Sequence, residues 1–238
     1  MDSHNKLPRH VAVIMDGNGR WAKSHAVSIV LGHRQGVEAL REVIRYSSDI
    51  GIQVLSLYAF STENWRRSKA EVSALMRLIV EFFSSEIDEL DEKQVKIRIL
   101  GEKEALTGGA YQAVLKAEER TRDNSGLQLN IALNYGARDE LLRAVKSLAA
   151  DAALEFIQPE SISKEDFERR LYTKGQPDVD LLIRTSGEKR LSNFLLYQCA
   201  YAEILFVEKL WPDFTSEDFR AALDDYARRD RRFGGRAE

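Results

Sequence analysis

The chain has 238 residues, 44% of them hydrophobic and 31% charged, with a net charge of −3 at pH 7. That is enough apolar material for a real core in one large domain over 1–238, and it leaves no global field to draw the protein to nucleic acid. One cysteine, Cys199, excludes a disulfide framework and any cysteine-based zinc cluster, which suits a reduced, cytoplasmic setting. Along the chain, residues 11–15 form a short apolar run into Asp16 and read as a first strand. Residues 40–50 carry apolar side chains at helical spacing and stop at Gly51; 54–60 is a second strand candidate; 72–90 is a long amphipathic helix. Residues 95–100 alternate and end at Gly101, 110–122 are helical, 127–133 are strand-like, and 139–150 are helical again. Residues 149–165 read as a surface connection, 179–183 as a buried strand and 204–207 as the last strand. Thr215 and Ser216 can cap a final helix containing Phe219, Leu223 and Tyr226. The amino-terminal MDSHNKLPRH lacks the apolar core of a signal peptide, and no apolar run is long enough to cross a bilayer, so membrane contact would be peripheral.

Alternating strands and helices imply an α/β fold: right-handed βαβ units, with a central, mostly parallel sheet of these six strands flanked by helices. In such a sheet, ligands bind beyond the carboxyl ends of the strands. Four loops should therefore meet at one edge. They are 16–20 (DGNGR), 61–67 (STENWRR), 134–138 (NYGAR) and 184–192 (RTSGEKRLS). Arg, Ser, Asn and Gly dominate them, which suits a polyanion.

The first loop poses a conflict. Gly17, Asn18 and Gly19 resemble a phosphate cradle, yet Asp16 would repel a phosphate. The loose G-x-G-x-x-G/A dinucleotide pattern is met, but strand two ends in Ala59-Phe60-Ser61 and lacks the acid that holds a ribose. A Mg²⁺ ion between Asp16 and a diphosphate removes the conflict, because Mg²⁺ takes one or two carboxylates and fills its other positions with water and substrate oxygens. The Gly17 and Gly19 amides and Arg20 can hold the rest of the anion. A helix cap and a tight turn would use the same residues. Arg184, Arg190 and Ser192, joined by Arg67, suit a second diphosphate, since guanidinium forks pair bidentately with phosphate oxygens; a solvated loop with Glu188 ion pairs is the alternative. Glu203 sits among apolar neighbours and needs a partner, either a metal or an arginine. His33, after Gly32, could donate to phosphate or be structural. Trp21 and Trp65 could equally belong to a core, and the tail RRDRRFGGR could be solvated or fold over an anion. There is no Walker A sequence, no GxSxG elbow and no Asp-Asp-x-x-Asp cluster.

Seven stretches together resemble the cis-prenyltransferase family, to which the bacterial undecaprenyl diphosphate synthases belong. They are HVAVIMDGNGRWA (10–22), GHRQG (32–36), LYAFSTENWRR (57–67), LNYGARDE (133–140), LLIRTSGEKRLSNFLLYQCAYAEILF (181–206), WPDF (211–214) and RRFGG (231–235). The resemblance implies a homodimer with an apolar tunnel that condenses an allylic diphosphate, typically farnesyl diphosphate, with isopentenyl diphosphate using Mg²⁺. It implies a metal role for Asp16 and Glu203, with Asp16 and Asn64 as catalytic positions. Gly17, Asn18, Gly19, Arg20, Trp21 and His33 would surround the allylic diphosphate, and Arg67, Arg184, Arg190 and Ser192 the isopentenyl diphosphate. Asn64 and Trp65 would lie in a mobile segment between the two sites, and the RRFGG tail would reach the partner subunit. A small Ala59 implies a long product, although it could serve only packing. One departure stands out: 24–31 (SHAVSIVL) lacks the basic residue usual there, which predicts weaker allylic binding and slower turnover. Short-product synthesis, irregular coupling and a non-catalytic partner role are the alternatives.

Overall fold

Apolar strands whose alternate side chains turn to opposite faces need cover on both sides. In the computed structural model, which describes residues 7–230, six strands form one sheet. They are β1 (His10–Ile14), β2 (Val54–Ser61), β3 (Lys96–Leu100), β4 (Gln128–Tyr135), β5 (Leu181–Arg184) and β6 (Glu203–Phe206), in the order β3-β4-β2-β1-β5-β6. Every neighbouring pair is parallel. The helices among the described residues are α1 (Asn18–Ser24), α2 (Ile29–Asp49), α3 (Lys69–Glu92), α4 (Ala110–Arg120), α5 (Ala137–Ala153), α6 (Lys164–Glu168) and α7 (Ser216–Ala227). No helix among the described residues is long and apolar enough to cross a membrane.

One sheet face, with Val11, Val13, Leu55, Leu57 and Leu129, packs on Val43 and Ile44 of α2, Met76 and Phe82 of α3, Val114 of α4 and Phe219 of α7. The other face, with Ala12, Ile14, Ala132 and Leu182, packs on Phe194, Leu195 and Cys199. α7 starts as its residues predict: Thr215 and Asp218 form a reciprocal capping box.

The clearest difference from the expected elements is α2, which begins at Ile29 rather than Leu40. Gly32 and Gly36 lie in the added first turns of α2. In the fold they let α2 approach Asn18: a Cβ would lie 2.4 Å from the Asn18 carbonyl oxygen at Gly32 and 2.2 Å from Asn18 Oδ1 at Gly36. The 149–165 connection is also more ordered than expected, because α5 runs to Ala153 and Ser163 and Asp166 box the start of α6.

His10 is fully buried at the amino-terminal end of the sheet. Its Nδ1–H donates to the Pro177 carbonyl (2.8 Å), and Nε2 accepts from the Ser56 hydroxyl (2.7 Å). Burial pushes its pKa down from 6.5 to about 4, against the opposing pull of the Pro177 carbonyl and Asp180. Between these values the unfolded chain binds a proton that the folded chain refuses. The stability tied to neutral His10 is therefore whole above pH 6.5 and drains as pH falls toward 4. Denaturant melts should show the parent losing about 3 kcal/mol more than His10→Gln across that window; parallel pH profiles would contradict the assignment.

Candidate active site

The parallel sheet places the carboxyl ends of β1, β2, β4 and β5 at one edge. β1 lies between β2 and β5, with Ile14 in register with both Tyr58 and Arg184. The loops after these strands line one cavity of about 690 Å³. Its mouth carries Asp16 and Asn18 from the first loop, Ser61, Asn64 and Arg67 from the second, Arg138 from the third, and Arg184, Arg190 and Ser192 from the fourth. Further in, Val37 and Leu40 of α2, Leu75 and Phe82 of α3, and Ala59 and Ile131 of the sheet make an apolar wall. Ala59 is skipped between the Tyr58–Ala132 and Phe60–Leu133 pairs, so it sits at a bulge. Bulges re-aim side chains beside sites, and here a small one faces the cavity.

Asp16 and Arg184 form the centre of the mouth. Arg184 is 2% exposed. Its Nη2 donates to Asp16 Oδ2 at 2.8 Å, and its Nη1 donates to Ser192 Oγ at 2.7 Å and to the Arg190 carbonyl. Its Nε is buried without a hydrogen-bond partner. Burial raises the Asp16 pKa, but the Arg184 hydrogen bond and the charges of Arg184 and Arg20 outweigh it and hold the carboxyl below its ordinary value. Thr185, which the sequence reading passed over, locks the two loops: its hydroxyl accepts from the Asp16 N–H (3.0 Å) and donates to the Asp16 carbonyl (2.7 Å). Its place directly after Arg184 was the available signal. Ser186, Ser192, Asn193 and Leu195 all adopt positive φ. Such strain in non-glycine residues gathers at functional loops.

On the other side of the mouth, His33 Nε2 lies 3.3 Å from Glu71 Oε1, and Arg67 Nη1 donates to the same oxygen at 2.8 Å. Burial lowers the His33 pKa; Arg67 adds to the shift and Glu71 opposes it. Asn64 Oδ1 accepts from the Ser61 N–H at 3.0 Å, closing its own turn, and Trp65 Nε1 donates to Asn134 Oδ1 at 2.7 Å. Asn193 was also missed: its Oδ1 accepts from the Arg138 N–H (2.9 Å) and its Nδ2 donates to Glu63 (3.2 Å), tying three of the four loops together.

Several expected residues stand elsewhere. Gly17, Gly19, Arg20 and Trp21 are outside the cavity lining. Gly17 caps α1 with φ 115°, where a Cβ would meet Leu210 at 3.0 Å. Arg20 lies beside the mouth, 3.6 Å from Asp16 and 3.5 Å from Glu188, and donates to the Ser186 carbonyl at 2.9 Å. Trp21 donates to Asp213 Oδ1 (2.7 Å) and stacks on His25. Arg190 forms the ion pair with Glu188 expected of a solvated loop, while still lining the cavity. Glu203 corrects the metal expectation for a single chain. It pairs in register with Leu181, which is also paired with Val11, so it starts β6 at the far edge of the sheet from Asp16. The offset is about 16 Å along the strands, and Glu203 accepts instead from Arg229 at 3.0 Å. Ile29 is the first residue of α2 and 47% exposed. The RRFGG tail lies outside the described residues.

No group of three or more His, Cys, Asp or Glu side chains placed to hold a metal ion occurs among the described residues. A Mg²⁺ ion does not need one when phosphate oxygens supply its other positions. The partly exposed, ionised Asp16 carboxylate fits that role, with the unpartnered Arg184 Nε beside it for the anion.

A family model described as "Putative undecaprenyl diphosphate synthase" matches residues 14–234. An isoprenyl transferase from Clostridium perfringens is 49% identical over 97% of this chain and 91% of its own length. Among solved structures, lavandulyl diphosphate synthase from Lavandula x intermedia, in complex with dimethylallyl diphosphate, superimposes with a TM-score of 0.93 at 38% identity, covering 96% of this chain and 98% of that one. A probable undecaprenyl diphosphate synthase from Campylobacter jejuni gives a TM-score of 0.78 at 33% identity over 97% and 99% of the two chains.

Proposed function

We propose, from the premise that this chain belongs to the undecaprenyl diphosphate synthase family of prenyl-transferring enzymes, that it condenses isopentenyl diphosphate with an allylic diphosphate to build a long Z-polyprenyl diphosphate, a lipid-carrier precursor for cell-wall synthesis. Farnesyl diphosphate is the proposed starter, a homodimer the proposed assembly, and the cytoplasm, with peripheral membrane contact for product release, the proposed location. The observation that carries this reading is the two-part cavity: a cationic mouth built by four strand-end loops, continued by apolar walls from α2, α3 and the sheet. A diphosphate with a prenyl tail has the same two parts.

In the reaction, the allylic C–O bond breaks and its electron pair leaves with the diphosphate. The isopentenyl double bond forms the new C–C bond, and a proton is then lost. Arg20, already oriented by the Ser186 carbonyl beside the mouth, would face the leaving diphosphate as negative charge grows on it; pre-aimed charge of this kind is usually the largest catalytic contribution. Mg²⁺ held by Asp16 would supply Lewis acidity toward the leaving diphosphate. Ser192 and Arg190 would hold the isopentenyl diphosphate beside Arg184. The proton acceptor is a diphosphate oxygen, Asp16, or water held by Asn18, whose Oδ1 is a buried acceptor without a partner.

Product length follows from how much apolar chain the inner cavity accepts. Incubation with farnesyl diphosphate and labelled isopentenyl diphosphate, followed by chromatographic sizing, should give a long product. Ala59→Leu, which fills the bulge position on the wall, should shorten it by two or more isoprene units, each unit carrying about 4 kcal/mol of burial at ~0.8 kcal/mol per carbon. An unchanged product would show that Ala59 only packs. A short or irregular product is the second reading. It is favoured by the likeness to the lavandulyl enzyme and by a cavity whose volume matches a small ligand. Ile29→Arg should restore the cation missing from 24–31, lowering the KM for the allylic diphosphate by up to about tenfold and raising turnover. Unchanged steady-state constants would show that the departure is silent.

A further inference from the structure

Glu71 is the third residue of α3, its N–H held by the Ser68 hydroxyl at 3.2 Å. It is not part of the cavity wall, but both groups it holds are. A single oxygen, Oε1, meets His33 Nε2 at 3.3 Å and Arg67 Nη1 at 2.8 Å. His33 comes from α2 and Arg67 from the loop before α3, so the carboxylate stands behind two cavity groups carried by different elements. Resting on the function proposed above, His33 serves the allylic diphosphate and Arg67 the isopentenyl diphosphate.

We propose that Glu71 is a positioning residue that couples the two diphosphate subsites, so that filling either one tightens the other. One oxygen accepts from both donors and so ties the two groups to a single carboxylate. When a diphosphate takes up Arg67, the carboxylate is left to His33, whose ring is then better oriented. The charge of Arg67, which disfavours a positive His33, is also neutralised. Both changes favour an anion at His33. Because coupling between binding sites is reciprocal, a diphosphate at His33 must favour one at Arg67 by the same factor. The competing account is an ordinary i,i+4 ion pair that merely supports the start of α3. It predicts stabilisation without coupling.

Calorimetric titration with Mg²⁺ separates the two. Isopentenyl diphosphate and an unreactive allylic thiodiphosphate, with sulfur in place of the bridging oxygen, allow binding without turnover. In the parent, the Kd of each ligand should fall about fivefold or more when the other is present. In Glu71→Gln that factor should collapse to about one. An equal factor in both proteins, or none in the parent, overturns the coupling while leaving the proposed function standing. A parent that binds neither ligand overturns both. Should Glu71→Gln fail to fold, the His33→Asn and Arg67→Gln cycle decides on the parent background: non-additive losses of affinity for the allylic analogue, measured with isopentenyl diphosphate present, support the coupling, and additive losses overturn it.

Discussion

Asp16→Ala should lower turnover about a thousandfold while the protein stays folded. The side chain is 30% exposed at the mouth of the cavity, so it contributes little to the core. Its removal leaves Arg184 with two acceptors, Ser192 Oγ and the Arg190 carbonyl, which limits the stability cost to about 1–3 kcal/mol. Its chemical contribution is harder to replace. Ionised by its arginine neighbours, it is the one carboxylate of the first loop, at the point where a divalent cation would meet a diphosphate. Asp16→Asn separates charge from shape. It keeps the size and can still accept from Arg184, but it cannot neutralise a cation. It should be nearly as inactive as alanine; activity within tenfold of the parent would show that the charge is dispensable.

The second large effect belongs to Arg184. Lysine at this position keeps the positive charge, but a compact ammonium cannot span Ser192, the Arg190 carbonyl and Asp16 as the guanidinium fork does. Arg184→Lys should raise the KM for isopentenyl diphosphate about a hundredfold, corresponding to the loss of one or two charge-assisted hydrogen bonds. Thermal melts of the same variant should also show a loss of stability, because the side chain is 3% exposed and leaving part of a buried ionic network unpaired is costly. Steady-state kinetics at saturating allylic substrate test this directly; an unchanged KM would mean that Arg184 is only the structural partner of Asp16.

Strand-end chemistry was readable because it depends on direction alone. Once apolar runs alternate with helices, parallel strands place residues 16, 61–67, 138 and 184–192 at one edge, and the structure brings residues from all four loops into one cavity. Other features depend on contacts between distant parts of the chain and left no local signal. Nothing local marks Gly32 and Gly36 as the point of close approach to Asn18, a residue well before them in the chain. The bulge at Ala59 comes from a register slip against β4, and no pattern within 54–61 announces it. An isolated acid before the last strand admitted either a metal or an arginine, and nothing local pointed to Arg229 as the partner of Glu203. Glu71 carries no local signal for a related reason: one of its two partners, His33, lies on another helix.

The proposed function requires the cavity to join the carbon chains of an allylic and an isopentenyl diphosphate, with Asp16 as the residue that would hold Mg²⁺. Transfer of label from isopentenyl diphosphate into an organic-extractable product, in the presence of farnesyl diphosphate, measures it most directly. Robust transfer is expected with Mg²⁺, with abolition by EDTA and recovery when Mg²⁺ is returned in excess. No transfer with all components present, or an undiminished rate in EDTA, would contradict it.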